Sequence, residues 1–97
     1  MRYLVHMVVR LPHDMDPEVA SDLKAREKER ALDLQRAGLW RHLWRVAGKY
    51  ANYSVFDVES HDQLHELLTS LPLFPFMDVD VIPLAVHPSA LEAQPPG

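Results

Sequence analysis

The sequence predicts an α+β fold with the element order β-α-β-β-α-β. Short runs of β-branched and large apolar residues, bounded by Pro or Gly, indicate four strands. Two segments with capping residues and helical spacing of apolar positions indicate two helices. A chain of 97 residues has room for one domain, so these elements must share a single core. We expect this ferredoxin-like domain to span residues 1–88, with a Pro-rich tail over residues 89–97.

The first strand and the long helix after it have clear boundaries. Residues 3–11, YLVHMVVRL, favour a strand that stops at Pro12. Asp16 can cap a helix by accepting hydrogen bonds from free amides, and Pro17 suits the first helical position. Gly38 is the expected end of this helix.

The remaining elements follow from similar signals. Strands are expected over about residues 39–46 and 50–58, joined by a tight turn at Gly48. A capping-box pattern opens a second helix over residues 61–70. The alternating segment MDVDVIPLAV, residues 77–86, predicts the fourth strand. This order is the split β-α-β arrangement, an antiparallel four-stranded sheet with both helices on one face.

Both faces of the predicted sheet carry large apolar groups. Strict alternation in the second strand places its even positions on one face and its odd positions on the other. The even positions are Trp40, His42 and Trp44, and the odd positions include Arg41 and Arg45. Helices on one side leave the other face uncovered, so we expect two sheets to stack as a dimeric α+β barrel. The alternative, a sheet face that stacks single-stranded RNA, needs basic residues and an aromatic signature that the sequence lacks.

Composition excludes several functional classes. The net charge of −4 gives no basic footprint for nucleic acid. With no cysteine the chain has neither a disulfide framework nor a thiolate nucleophile. The apolar runs are too short for a membrane span and the N-terminus lacks a signal-peptide pattern, so we expect a cytoplasmic protein. His61 and His65 lack a third ligand and no Gly-rich phosphate loop exists, so we expect no metal and no nucleotide cofactor.

One acidic residue lies on the predicted apolar stripe of the long helix. That stripe consists of Ala20, Leu23, Glu27, Ala31 and Leu34. Glu27 could lie at the edge of the stripe and reach water or an arginine. Alternatively it faces a cavity between helix and sheet, where desolvation raises its pKa and makes it a stronger base toward carbon acids.

The hairpin of strands two and three offers polar groups for such a cavity. Tyr50, Asn52 and Ser54 alternate on one face, so their tips could converge on a small ligand, with Trp40 and Trp44 excluding water. His42 on the neighbouring strand is a further candidate for binding the ligand. Core or interface packing is the alternative for the tryptophans and for His42. Turn and cross-strand hydrogen bonding is the alternative for Tyr50 and Asn52.

Four stretches of the chain closely resemble the muconolactone delta-isomerase family. They are RLPHDMDP, LKAREKE, LQRAGLWRHLWRVAGKYANYSVFDV and LPLFPFMDVDVIPLAVHPS, which lie within residues 1–89. The resemblance implies a ferredoxin-like fold, a cytoplasmic homodecamer built from dimers, and active sites lined by more than one subunit. It also implies cofactor-free conversion of muconolactone to 3-oxoadipate enol-lactone in catechol degradation.

The implied reaction is an allylic proton shift that passes through a dienolate. Such chemistry needs a base, donors for the developing oxyanion and a cation for the carboxylate arm of the substrate. We assign Glu27 as the base and Tyr50 and Asn52 as the donors. Candidates for the cation are Lys24, Arg41 and Arg45.

Three other functions stay open at this point. A chloromuconolactone dehalogenase would begin with similar proton removal and then expel chloride. The same barrel also serves non-catalytic ligand-binding proteins and cofactor-independent or haem-degrading monooxygenases. Comparing turnover of the two lactones, and testing for dependence on oxygen, would separate these functions.

Overall fold

A computed structural model of the chain, which describes residues 1–91, contains the predicted elements in the predicted order. Their bounds are β1 Arg2–Val9, α1 Pro17–Arg36, β2 Trp40–Arg45, β3 Ala51–Asp57, α2 His61–Thr69 and β4 Met77–Leu84. A short 3-10 helix over Phe74–Phe76, which the sequence reasoning did not anticipate, precedes β4. Of the predicted tail, residues 92–97 lie outside the described residues.

The four strands form one antiparallel sheet in the order β2-β3-β1-β4. Odd residues of β1 point toward the helices, where Tyr3, Val5 and Met7 are almost fully buried. Leucines of α2 and the last turns of α1 belong to the same apolar cluster, so both helices cover this face. The predicted α+β fold with a ferredoxin-like arrangement is therefore confirmed.

Local capping explains where the two helices begin. The carboxylate of Asp16 accepts a hydrogen bond from the amide of Glu18 at 2.8 Å, as the N-cap position requires. Ser60 accepts from the amide of Gln63 at 3.0 Å, and the Gln63 side chain reaches back to the amide of Glu59 at 2.7 Å. Within the described residues, no helix is both long and apolar enough to span a membrane.

A bulge in β2 overturns the predicted alternation of that strand. Trp40 pairs with Phe56, but His42 pairs with Val55, so Arg41 is an extra residue in the ladder. Because one additional residue reverses the side on which the following side chains lie, the prediction that all even positions share a face is wrong. Trp40 faces the helices, whereas His42 and Trp44 lie on the opposite face.

The face of the sheet away from the helices, here called the outer face, is largely apolar and aromatic outside its β4 edge. Its apolar and aromatic residues are Leu4, His6, Val8, His42, Trp44, Tyr53, Val55 and Ile82. At the β4 edge the same face also carries two carboxylates, Asp80 opposite His6 and Asp78 opposite Val8. The rings of His6 and Tyr53 stack with centroids 4.4 Å apart, and those of His42 and Trp44 stack 5.0 Å apart. Trp44 is 56% exposed and Ile82 50% exposed, so large apolar groups meet solvent here.

Candidate active site

A cavity of about 490 Å³ lies between α1, the β2–β3 hairpin and the segment that leads into β4. Its volume falls in the range of small-molecule sites. Its lining is mostly apolar, with a few polar and charged side chains: Glu27, Lys28, Gln35, Arg45, Tyr50 and Asn52. Among the cavity-lining residues of the described chain, Glu27 is the only carboxylate.

Glu27 occupies the position on α1 that the apolar stripe predicts. Its side chain is partly buried, and its Oε1 accepts a hydrogen bond from the backbone amide of Leu73 at 2.9 Å. Burial raises the pKa of Glu27 above its ordinary value, and the Leu73 amide opposes this rise only in part. A carboxylate with a raised pKa, facing a cavity, is suited to accept a proton from carbon.

The amide that holds Glu27 comes from a rigid turn. Leu73 lies between Pro72 and Pro75, and the backbone bond from the amide of Phe74 to the carbonyl of Leu71 (2.9 Å) closes the turn around it. Because one oxygen of Glu27 is held by the chain, the carboxylate has a fixed orientation. The other oxygen has no partner among the described residues.

Tyr50 lies just before β3 and forms part of the cavity wall. Two cations lie near its ring, with Lys24 Nζ 5.6 Å and Arg45 Cζ 5.2 Å from the ring centroid. Burial raises the pKa of Tyr50, the charge of Arg45 lowers it, and the charge of Glu27 raises it further. The phenol therefore lies within electrostatic reach of both Glu27 and Arg45.

Asn52 and Ser54 occupy neighbouring positions on the helix-facing side of β3, but they differ in access to the cavity. Asn52 lines it, while Ser54 is 0% exposed and does not. The hydroxyl of Ser54 instead donates to Oδ1 of Asn52 at 2.7 Å. The prediction that both tips converge on a ligand is therefore wrong for Ser54, because the neighbouring strands bury its side chain.

The bulge decides which residues of β2 reach the cavity. Trp40 lines it, is almost fully buried and stacks on Phe56 with ring centroids 4.8 Å apart. Trp44 and His42 lie on the outer face, so the predicted role of Trp44 as a wall beside Tyr50 does not hold within one protomer. No described residue accepts a hydrogen bond from the buried indole N–H of Trp40.

The three candidate cations for the substrate carboxylate also differ in whether they reach the cavity. Arg45 lines the cavity. Arg41 does not, and its Nη1 lies 3.6 Å from Asp57. Lys24 contacts the site only through the ring of Tyr50.

Sequence reasoning missed three polar groups of this cavity, of which one is the side chain of Gln35. Lys28 lines it beside Glu27 and could have been noticed from its place next to that residue. The amide of Leu73 had no sequence signal, because it lies 46 positions from Glu27 along the chain. Within residues 1–91, no group of three or more His, Asp or Glu residues is arranged to hold a metal ion.

The fold and the cavity place the protein in a class: small α+β proteins that set one desolvated carboxylate against a ligand-sized chamber lined by aromatic, amide and cationic groups. Within that class, a sequence profile described as muconolactone delta-isomerase matches residues 1–90. The chain belongs to the muconolactone delta-isomerase family.

Individual relatives resemble the chain over nearly its full length. The muconolactone delta-isomerase of Cupriavidus pinatubonensis is 60% identical over 91 residues, which cover 94% of this chain and 99% of that protein. That of Pseudomonas aeruginosa is 58% identical, covering 96% of this chain and 97% of that protein. A crystal structure of muconolactone isomerase superposes with a TM-score of 0.93 at 58% identity, covering 97% of this chain and 98% of the other.

Proposed function

We propose that this protein converts muconolactone to 3-oxoadipate enol-lactone by moving one proton within the lactone. The observation that carries the proposal is Glu27, a desolvated carboxylate held by the Leu73 amide inside a ligand-sized cavity. The family to which the chain belongs supports the choice of substrate.

In the proposed mechanism the free oxygen of Glu27 removes the proton from the ring carbon that bears the carboxymethyl arm. The electron pair moves through the double bond to the lactone carbonyl, which becomes the oxyanion of a dienolate. Tyr50 and Asn52 donate hydrogen bonds to that oxyanion; the fact that both residues line the cavity supports this assignment. The proton then returns to the carbon beside the carbonyl, so atoms and charge balance.

A single base suits this arrangement. Of the described residues that line the cavity, only Glu27 carries a carboxylate, so the group that removes the proton is also the group we assign to return it. The substrate carboxylate is assigned to Arg45, with Lys28 as a second cation in the same wall. Trp40 is assigned to exclude water.

The decisive experiment follows isomerisation of muconolactone by ultraviolet absorbance and by NMR in deuterated water. Wild type should introduce solvent deuterium beside the carbonyl carbon, because the proton on Glu27 exchanges with solvent in part. Glu27→Gln should lower kcat by roughly 10³-fold, since it removes the general base. Glu29→Gln, on the exposed side of the same helix, is the matched control and should keep full activity.

Three results would contradict the proposal. An unchanged rate in Glu27→Gln would remove that residue from the mechanism. Preferential turnover of a chlorinated muconolactone with chloride release would indicate a dehalogenase. A reaction that needs oxygen would indicate a monooxygenase.

We also propose that the outer face of the sheet is covered by a second copy of this chain. The aromatic stacks of this face and the half-exposed Trp44 support this, because soluble monomers rarely expose so many adjacent apolar groups. The resemblance to the family extends the proposal from a dimer to a homodecamer with sites shared between subunits. The cytoplasmic location remains a prediction, to be tested by cell fractionation.

Sedimentation velocity tests the assembly. Wild type should sediment as an oligomer, and Trp44→Glu should shift it toward smaller species, because the new charge would be buried without a partner. Val19→Glu, which changes an exposed apolar residue of α1, is the control. A monomeric wild type would contradict the proposal.

A further inference from the structure

Ser54 is a buried polar residue in an apolar setting. It is 0% exposed, and apart from the phenol of Tyr3 and the indole N–H of Trp40 its hydroxyl is the only polar side-chain group in the buried core of residues 1–91. Its cross-strand neighbours are Val5 of β1 and Leu43 of β2. An alanine would satisfy the packing of this position without any hydrogen bond, so packing alone gives no reason for a hydroxyl.

The hydroxyl has one partner among the described residues, the side chain of Asn52. Ser54 Oγ lies 2.7 Å from Oδ1 of Asn52, two positions earlier on the same face of β3. Ser54 has a single proton to donate, whereas the amide of Asn52 offers one acceptor group and two donor hydrogens. Only one of the two amide orientations gives that serine proton an acceptor.

The orientation of the amide follows from this inventory. If Asn52 turned its Nδ2 toward Ser54, the serine would accept a hydrogen bond but its own buried proton would have no acceptor. With Oδ1 toward Ser54, that proton is used, and both hydrogens of Nδ2 are free for the cavity that Asn52 lines. Ser54 thus determines which end of the amide a ligand meets.

We propose that Ser54 is a positioning residue that locks Asn52 with its amide hydrogens toward the cavity, making Asn52 a hydrogen-bond donor to a substrate oxygen that gains negative charge. This rests on the proposed isomerase function for the identity of that oxygen, the lactone carbonyl. Ser54 itself is fully buried and does not line the cavity, so it does not touch the substrate. Its effect on the reaction passes entirely through Asn52.

A double-mutant cycle tests this coupling. Ser54→Ala should lower kcat about tenfold with KM changed less than about twofold, because the misoriented amide fails mainly when charge develops. Asn52→Ala should lower kcat about 10²- to 10³-fold, as loss of an oxyanion donor typically does. In the Asn52→Ala background, Ser54→Ala should have no further effect on kcat. Ser54→Thr, which keeps the hydroxyl, should restore most of the rate.

Two controls separate positioning from stability. Ser60→Ala removes the cap of α2, so it should lower the melting temperature and leave kcat and KM unchanged. Thermal unfolding of the Ser54 variants reports any packing effect directly. The same loss of kcat for Ser54→Ala with and without Asn52, or no loss at all, would overturn the proposal.

A readout independent of activity uses the fact that Asn52 is the only asparagine of the chain. Labelling with ¹⁵N-asparagine gives a single side-chain amide pair in the NMR spectrum. That pair should move in Ser54→Ala, because Oδ1 loses its donor, and the pair should stay in place in Ser60→Ala. If the wild type fails to isomerise muconolactone but the amide pair moves in Ser54→Ala, the proposed function is refuted and the amide lock is not. An unchanged pair would refute the lock.

Discussion

The two arginines of β2 provide a direct test of the site, because the bulge between Trp40 and His42 sends them to different surroundings. Arg45 lines the cavity with its guanidinium 5.2 Å from the ring of Tyr50, while Arg41 lies beside Asp57. Replacing Arg45 by Met keeps an apolar stem and removes the charge. The substrate carboxylate then loses a charge-assisted hydrogen bond, which contributes about 1.5–3 kcal/mol.

The lower end of that range applies, since Arg45 is exposed to solvent and its interactions are screened. A loss of about 1.5 kcal/mol corresponds to roughly a tenfold rise in KM. Arg41→Met should change KM by less than about twofold. Initial rates are measured with muconolactone and with its methyl ester, which lacks the charge; Arg45→Met should leave KM for the ester nearly unchanged. A tenfold rise in KM for Arg41→Met instead would refute the assignment and the geometry behind it.

Two further predictions concern Glu27. Burial raises the pKa of this base, so kcat/KM should fall as the pH drops through a value above the ordinary 4.5, and a profile flat down to that ordinary value would contradict the desolvated site. The same burial makes the ionised folded state less stable, because the folded protein holds the Glu27 proton more tightly than the unfolded chain does. The contribution of Glu27 to stability therefore falls as the pH rises from the pKa of Glu27 in the unfolded chain to its higher pKa in the folded protein. Glu27→Gln should therefore melt at a higher temperature than wild type near pH 7, with the difference vanishing below the unfolded pKa; equal melting temperatures throughout would contradict this.

The elements of the fold could be predicted because their signals are local. Asp16 and Pro17 mark the start of α1, and Ser60 marks that of α2, through contacts within a few residues. The stripe that exposes Glu27 to the cavity follows from helical spacing alone. Such signals depend only on residues close together in the sequence, so they can be read without knowing the tertiary structure.

The bulge and the Leu73 contact could not be predicted, because each depends on how distant segments meet. Nothing in WRHLWR indicates that Arg41 is the extra residue, since its register is set by pairing with β3. The burial of Ser54 likewise depends on Val5 and Leu43 from the flanking strands. Simple alternation therefore assigned Trp44 to the face of Trp40 and Arg45 to the opposite face, and the structure reverses both assignments.

The extra residue at Arg41 lets the two parts of one short strand each place a different side chain in the cavity. Upstream and downstream of it, consecutive side chains alternate normally, yet the interior receives an indole from one half and a guanidinium from the other. If Arg41 instead paired as a regular member of the ladder, Trp44 would turn inward and Arg45 outward with no change in any letter of the sequence. The pairing of this strand with its neighbour, as much as its composition, determines what chemistry the chamber contains.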